Sequence, residues 1–105
     1  MNDWRAPIHP GEILMDELDE IDMTPEKLAR EIALPESRIY QLLNGKRNMT
    51  ADIALRLGKF FNTGPELWLN LQKAYDLEVA HQKIGNKLEV ITPYQPKVPA
   101  LVPAW

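Results

Sequence analysis

Apolar residues recur at helical spacing along most of this chain. Ile13, Leu14, Leu18 and Ile21 predict a first helix opened by His9-Pro10-Gly11-Glu12. Pro10 suits a first helical position, where a missing N–H costs nothing, and Glu12 lies near the positive end of the helix dipole. A second helix is expected from Thr24 as N-cap and Pro25 as first position, with Leu28, Ala29 and Ile32 facing inward. Pro35 disfavours helix at Leu34, so Ala33-Leu34-Pro35 predicts a turn. A third helix runs from about Glu36 to Leu43 with Ile39, Leu42 and Leu43 apolar, and Asn44-Gly45 ends it. Thr50 caps a fourth, Ala51 to about Phe61, with Ile53, Leu57 and Phe60 inward, and Asn62-Thr63-Gly64 breaks it. Pro65-Glu66 starts a fifth that continues to about Ile84, with Gly85 as its stop.

The fifth helix carries two apolar faces. Leu67, Trp68, Leu71, Ala74 and Tyr75 make one, and Leu69, Leu77, Ala80 and Ile84 the other. One can bury against the domain, while the second wants another partner. After Gly85 the pattern changes. Pro93, Pro96, Pro99 and Pro103 favour extended or polyproline conformation over residues 86–105. The expected organisation is therefore an all-α domain over residues 1–85 and a Pro-rich apolar tail over 86–105. The tail's Val90, Ile91, Tyr94, Val98, Leu101, Val102 and Trp105 suit a dimer wrap, a partner's sheet edge or a disordered segment alike.

Charge changes the picture more than composition does. The 105-residue chain has a net charge of −3. Residues 1–23 hold one Arg against seven carboxylates, while residues 24–59 hold seven basic and four acidic residues. The cationic block coincides with the second and third helices and the loop that follows. A DNA-binding module needs only such a local face over the phosphates. The chain has no cysteine, so thiol and disulfide chemistry are excluded. No stretch is long and apolar enough for a membrane span, and MNDWRAPIHPGE has no signal-peptide pattern, so a cytoplasmic location is expected.

Residues 25–50, PEKLAREIALPESRIYQLLNGKRNMT, have the layout of a helix-turn-helix followed by a basic loop. Counted from Pro25, Leu28, Ala29, Ile32, Leu34, Ile39 and Leu42 fall at the offsets that two crossing helices require, with small Ala29 at the close approach. Two packed helices of any small bundle can offer Leu and Ala at similar spacings. The offsets, the cap and the basic loop coincide here. Ala33 stands at the turn position usually held by Gly, where a positive φ would cost some strain. Glu36, Ser37, Tyr40 and Gln41 share the outward face of the third helix and are the candidate base readers. Gln can bond adenine twice, Glu can accept from cytosine N4, and Ser is permissive. Arg38, Asn44, Lys46, Arg47 and Thr50 are the candidate phosphate contacts, which position rather than specify.

No site for catalysis is apparent. His9 and His81 lie far apart in sequence, and His9 with Glu12 makes only two ligands. There is no phosphate-binding glycine loop and no nucleophile–base pair, and Asp52 reads as a helix-start carboxylate. No metal, cofactor or enzymatic activity is expected.

HPGEIL at 9–14, LLNGKRNMTADIALRLGKFFNTGPELWLNLQKAYDL at 42–77 and the motif between them resemble the HigA-type antitoxins, also called plasmid-maintenance antidotes or virulence-associated protein I. The resemblance covers about residues 8–80. It implies a five-helix, lambda-repressor-like domain acting as a bacterial transcription regulator. Such proteins form homodimers, bind a palindromic operator upstream of their own operon, and neutralise a small RelE-like ribonuclease toxin without metal or enzymatic activity. Ala33 in place of the turn Gly, Gly64 in place of Ser, and Pro35-Glu36 in place of a small polar pair differ from the family pattern. The last difference bears on the operator sequence rather than the fold.

On this reading the acidic stripe Glu12, Asp16, Asp19 and Glu20, with Glu17, is either a solvated face or the docking face for a cationic toxin. Leu69, Leu77, Ala80 and Ile84 become the candidate dimer face, unless the tail folds back over them. Two other functions fit the residues: a protein-interaction module that has lost DNA binding, and an orphan transcription regulator without a toxin. Glu36 and the net negative charge favour the first of these.

Overall fold

A computed structural model of the chain describes residues 6–97. Among them are five α-helices, one 3-10 turn and no strand. Helix α1 spans Pro10–Glu20, α2 Pro25–Glu31, α3 Glu36–Leu43, α4 Ala51–Phe60 and α5 Pro65–Ile84. The expected five-helix, all-α architecture is thus present, with each helix close to its expected bounds.

The helix starts are local chemistry. His9 Nδ1 accepts from Gly11 N at 2.9 Å, and the Glu12 carboxylate accepts from His9 N at 3.1 Å, a reciprocal cap on α1. Thr24 Oγ1 accepts from Lys27 N, and Thr50 Oγ1 from Ile53 N, satisfying orphan donors of α2 and α4. Thr50, expected at a phosphate, therefore already has its hydroxyl oxygen in a cap.

Leu14 and Leu18 of α1, Leu28, Ala29 and Ile32 of the α2 region, Ile39 and Leu42 of α3, Met49, Ile53, Ala54 and Leu57 around α4, and Trp68 of α5 form one buried cluster. α4 packs along α5, α2 against α3, and α1 bridges α3 and α5. Two glycines permit the close approaches. A Cβ on Gly11 would lie 2.0 Å from the Leu42 carbonyl oxygen at the end of α3, and one on Gly58 would lie 2.3 Å from the Gly64 carbonyl carbon before α5.

Four expectations are corrected. Ile21 is 44% exposed, because it caps α1 one residue past the helix end and the chain has already turned away. Leu67 is also 44% exposed, and Ala74 is exposed too. The inward stripe of α5 is Trp68, Leu71, Gln72 and Tyr75, a strict helical spacing that turns Leu67 and Ala74 outward. Residues Gly85–Val90 form a 3-10 turn where extended chain is expected. The first tail proline is Pro93, so nothing before it forbids a turn. Residues 91–97 are exposed and follow no regular element, and Val98, Leu101, Val102 and Trp105 lie outside the described residues.

The turn between α2 and α3 carries backbone strain. Ala33 has φ 59°, and Leu34 N donates to the Ala29 carbonyl to close it. A Cβ in the left-handed region costs about 1–2 kcal/mol, and part of that is offset by the greater unfolded-state entropy of glycine. Ala33→Gly is therefore expected to stabilise the domain by about 0.5–1 kcal/mol. Urea denaturation would measure it, and a destabilised variant would contradict the strain assignment.

Candidate nucleic-acid interface

α3 is held from behind and presented in front. Ile39 and Leu42 are buried, while Glu36, Ser37, Tyr40 and Gln41 are exposed on the opposite side. The turn that aims α3 is clamped from α4. Arg56 Nη1 donates to the Ile32 carbonyl at 2.7 Å and to the Ala33 carbonyl at 3.1 Å. Its Nε donates to the Asp52 carboxylate at 2.6 Å, which fixes the guanidinium in place. Asp52 is thus a positioning partner of Arg56 as well as a helix-start carboxylate.

The basic loop after α3 is anchored from α5. Gln72 is only 6% exposed, and its Oε1 accepts from Met49 N at 2.6 Å. Its amide nitrogen donates to Asp76 at 2.9 Å and to Asn48 at 3.3 Å. Met49 is itself buried, so Lys46 and Arg47 stand on a loop pinned at its far end. Gly45, at φ 76°, makes the reversal that starts the loop, with Lys46 N donating to the Gln41 carbonyl. Asn44 caps α3 with its backbone and is exposed. Arg38 and Arg47 are half-buried and Lys46 is exposed, and none of the three meets a carboxylate among the described residues.

Two of the expected readers already have partners. The Tyr40 hydroxyl donates to the Glu26 carboxylate of α2. This bond holds the Glu26 carboxyl below the usual carboxylate range and lifts the Tyr40 phenol above its ordinary value. Because the folded-state value of Glu26 is depressed, any contribution to stability is present at neutral pH and lost as the pH falls through that value. Gln41 Oε1 accepts from Arg47 Nε at 3.1 Å.

The remaining candidates are spread elsewhere. Asp16, Asp19 and Glu20 are exposed on α1, whereas the Glu12 carboxylate is also a cap acceptor. Leu69 is 36% and Leu77 64% exposed, Ala80 is exposed, and Ile84 is half-buried. His9 is buried with its ring edge-on to Tyr75 at 4.9 Å, and its Nδ1 is the acceptor that caps α1. Sequence reasoning missed Arg56, Gln72 and Glu26. The i, i+4 spacing of Asp52 and Arg56 was a usable signal, as was a glutamine interrupting the inward stripe of α5.

Two short helices crossed over a clamped turn, the second with its polar face free, define a helix-turn-helix domain. The helix-turn-helix family profile matches residues 14–68. An addiction-module antidote protein of the HigA family from Coxiella burnetii is 54% identical, with a TM-score of 0.82 over 86% of this chain and all of that one. Virulence-associated protein I of Dichelobacter nodosus is 43% identical over 82% of this chain and 80% of its own length. The Pseudomonas aeruginosa antitoxin HigA, solved with the higBA promoter, is 39% identical, with a TM-score of 0.75 over 88% of this chain and 99% of that one. The chain belongs to the HigA family of helix-turn-helix antitoxins, whose members are DNA-binding regulators and not enzymes. No helix of the described residues is long and apolar enough to cross a membrane.

Proposed function

We propose that this protein is a cytoplasmic, homodimeric antitoxin that binds a palindromic operator before its own operon, represses it, and neutralises a RelE-like ribonuclease toxin. The observation that carries the DNA half is the exposed polar face of α3 beside Lys46 and Arg47 of the 44–50 loop, which meet no carboxylate among the described residues. The P. aeruginosa relative solved on promoter DNA supports the same reading. Glu36, Ser37, Tyr40 and Gln41 face the bases, and Arg38, Asn44, Lys46, Arg47 and Thr50 lie along the phosphates. Two copies joined through Leu69, Leu77, Ala80 and Ile84 bury apolar surface that a single domain leaves open. Pairing also supplies the second recognition helix that a palindrome requires. The α1 stripe of Glu12, Asp16, Asp19 and Glu20 offers a cationic ribonuclease a surface of opposite charge.

The DNA roles have separable tests. Gln41→Ala is expected to weaken specific binding by about 1–3 kcal/mol and leave nonspecific affinity unchanged. Equal loss on both would remove Gln41 from the bases. Arg47→Ala is expected to weaken binding to every sequence and flatten the salt slope by about one. An unchanged slope would remove Arg47 from the phosphates. Fluorescence anisotropy on upstream and scrambled duplexes reads both. The toxin half is tested by co-expression with the neighbouring gene. Rescue of growth by this protein supports it, and a neighbour that is not toxic points to an orphan regulator.

A second reading draws on the carboxylates of Glu26 and Glu36 at the α2–α3 surface, which repel phosphate. It makes the domain a protein-interaction module without DNA affinity, and the anisotropy experiment separates the two.

A further inference from the structure

Gln41 is not free to read DNA as an isolated glutamine would. Arg47 Nε can only donate, so the Gln41 atom facing it at 3.1 Å is the amide oxygen, and the amide NH2 is turned away. Bidentate reading of adenine needs that oxygen to accept from the N6 amino group while the NH2 donates to N7. In this protein a guanidinium already takes one of that oxygen's two lone pairs and sets a positive charge beside it. An adenine amino group brought there would meet a cation that carries only donors. The pair's other polar groups are the Gln41 NH2 and the Arg47 Nη nitrogens, all donors, against the single remaining lone pair of the shared oxygen. The hydrogen of the neighbouring Tyr40 hydroxyl goes to Glu26, so its oxygen can only accept from a further partner.

Guanine is the base whose major-groove edge presents two acceptors, O6 and N7, and no donor. We propose that Arg47 is a positioning residue for Gln41 and that the pair selects guanine over adenine at one position of each half-site. This rests on the DNA-reading role of α3 proposed above. It gives Arg47 two tasks: its charge serves the phosphates on every sequence, and its Nε sets which base Gln41 accepts.

The test is selection from a pool of randomised duplexes by the full-length protein, Gln41→Ala, Arg47→Ala and the double variant, each confirmed folded by circular dichroism. The position read by Gln41 is the one whose preference disappears in Gln41→Ala. The expected base there is guanine, favoured over adenine by about tenfold, the size of one good base contact. Arg47→Ala should cut that ratio to about threefold or less and leave preferences elsewhere unchanged. The double variant should discriminate no worse than Gln41→Ala. Replacing the guanine by 7-deazaguanine should weaken the parent protein several-fold and Arg47→Ala little. A purely electrostatic Arg47 would instead lower affinity uniformly, with every base preference intact. Adenine at the selected position, or a guanine preference that survives Arg47→Ala, overturns the proposal and leaves DNA reading standing. A Gln41→Ala pool identical to the parent's overturns it as well. No enriched sequence for the parent protein overturns the DNA-reading function itself, and the pair with it.

Discussion

Trp68→Ala is expected to destabilise the domain by about 3–5 kcal/mol, as truncation of a buried aromatic does. Trp68 is the largest fully buried side chain among the described residues, at 2% exposure, and it packs in the core where α4 meets α5. Its ring lies 5.8 Å from that of Phe61, and its indole N–H donates to Thr63 Oγ1 at 3.2 Å across the α4–α5 junction. Truncation removes the packing, the junction bond and the plug of the core at once. Domains of this size have about 5–15 kcal/mol in total, so the variant should approach marginal stability. DNA affinity should fall with it, because Gln72 on the next turn of α5 anchors the basic loop proposed to meet the phosphates. Urea denaturation of the purified variant measures the loss. A cost below about 1 kcal/mol would mean that Trp68 does not hold the two helices together.

Gly11→Ala is the second large effect, expected at about 3 kcal/mol, the upper end of ordinary overpacking. The new methyl would stand 2.0 Å from the Leu42 carbonyl oxygen and 3.1 Å from His9 Nδ1. The obstacle is backbone, so no rotamer change relieves it. α1 and the end of α3 must separate, and the separation also threatens the hydrogen bond that Gly11 N donates to His9. Because α3 carries the face proposed to read DNA, sequence preference should suffer beyond what the lost stability explains. Denaturation together with anisotropy at a temperature where the variant is folded separates the two effects. A fully stable Gly11→Ala with unchanged DNA affinity would show that α1 does not set the position of α3.

What the sequence displayed and what it concealed divide along physical lines. The α2–turn–α3 unit was legible because its determinants are local: Thr24 and Pro25 start one helix, Pro35 forces the bend, and Gly45 stops the other. The exposed polar face of α3 follows from helical geometry with Ile39 and Leu42 in the core. The rotation of α5 was not legible, because Leu67 and Leu71 are equally apolar and only packing against α4 decides which turns inward. Gly11 and Gly58 read as ordinary helix glycines, since a close approach needs the partner's backbone to be seen. Arg56 gripping the turn and Gln72 gripping the loop are bonds across 24 and 23 residues, beyond any local pattern. The pairing of Gln41 with Arg47 was hidden for another reason. Gln41 is exposed and Arg47 half-buried, and their mutual bond changes what each can offer a base.

The polar face of α3 is proposed to read DNA. Its most direct test is fluorescence anisotropy of the protein with the duplex upstream of its gene, against a scrambled duplex, at two salt concentrations. The account predicts tighter binding to the upstream duplex, weakening steeply as salt rises and phosphate contacts are screened. Equal and feeble binding to both duplexes, with or without the product of the neighbouring gene, would contradict it.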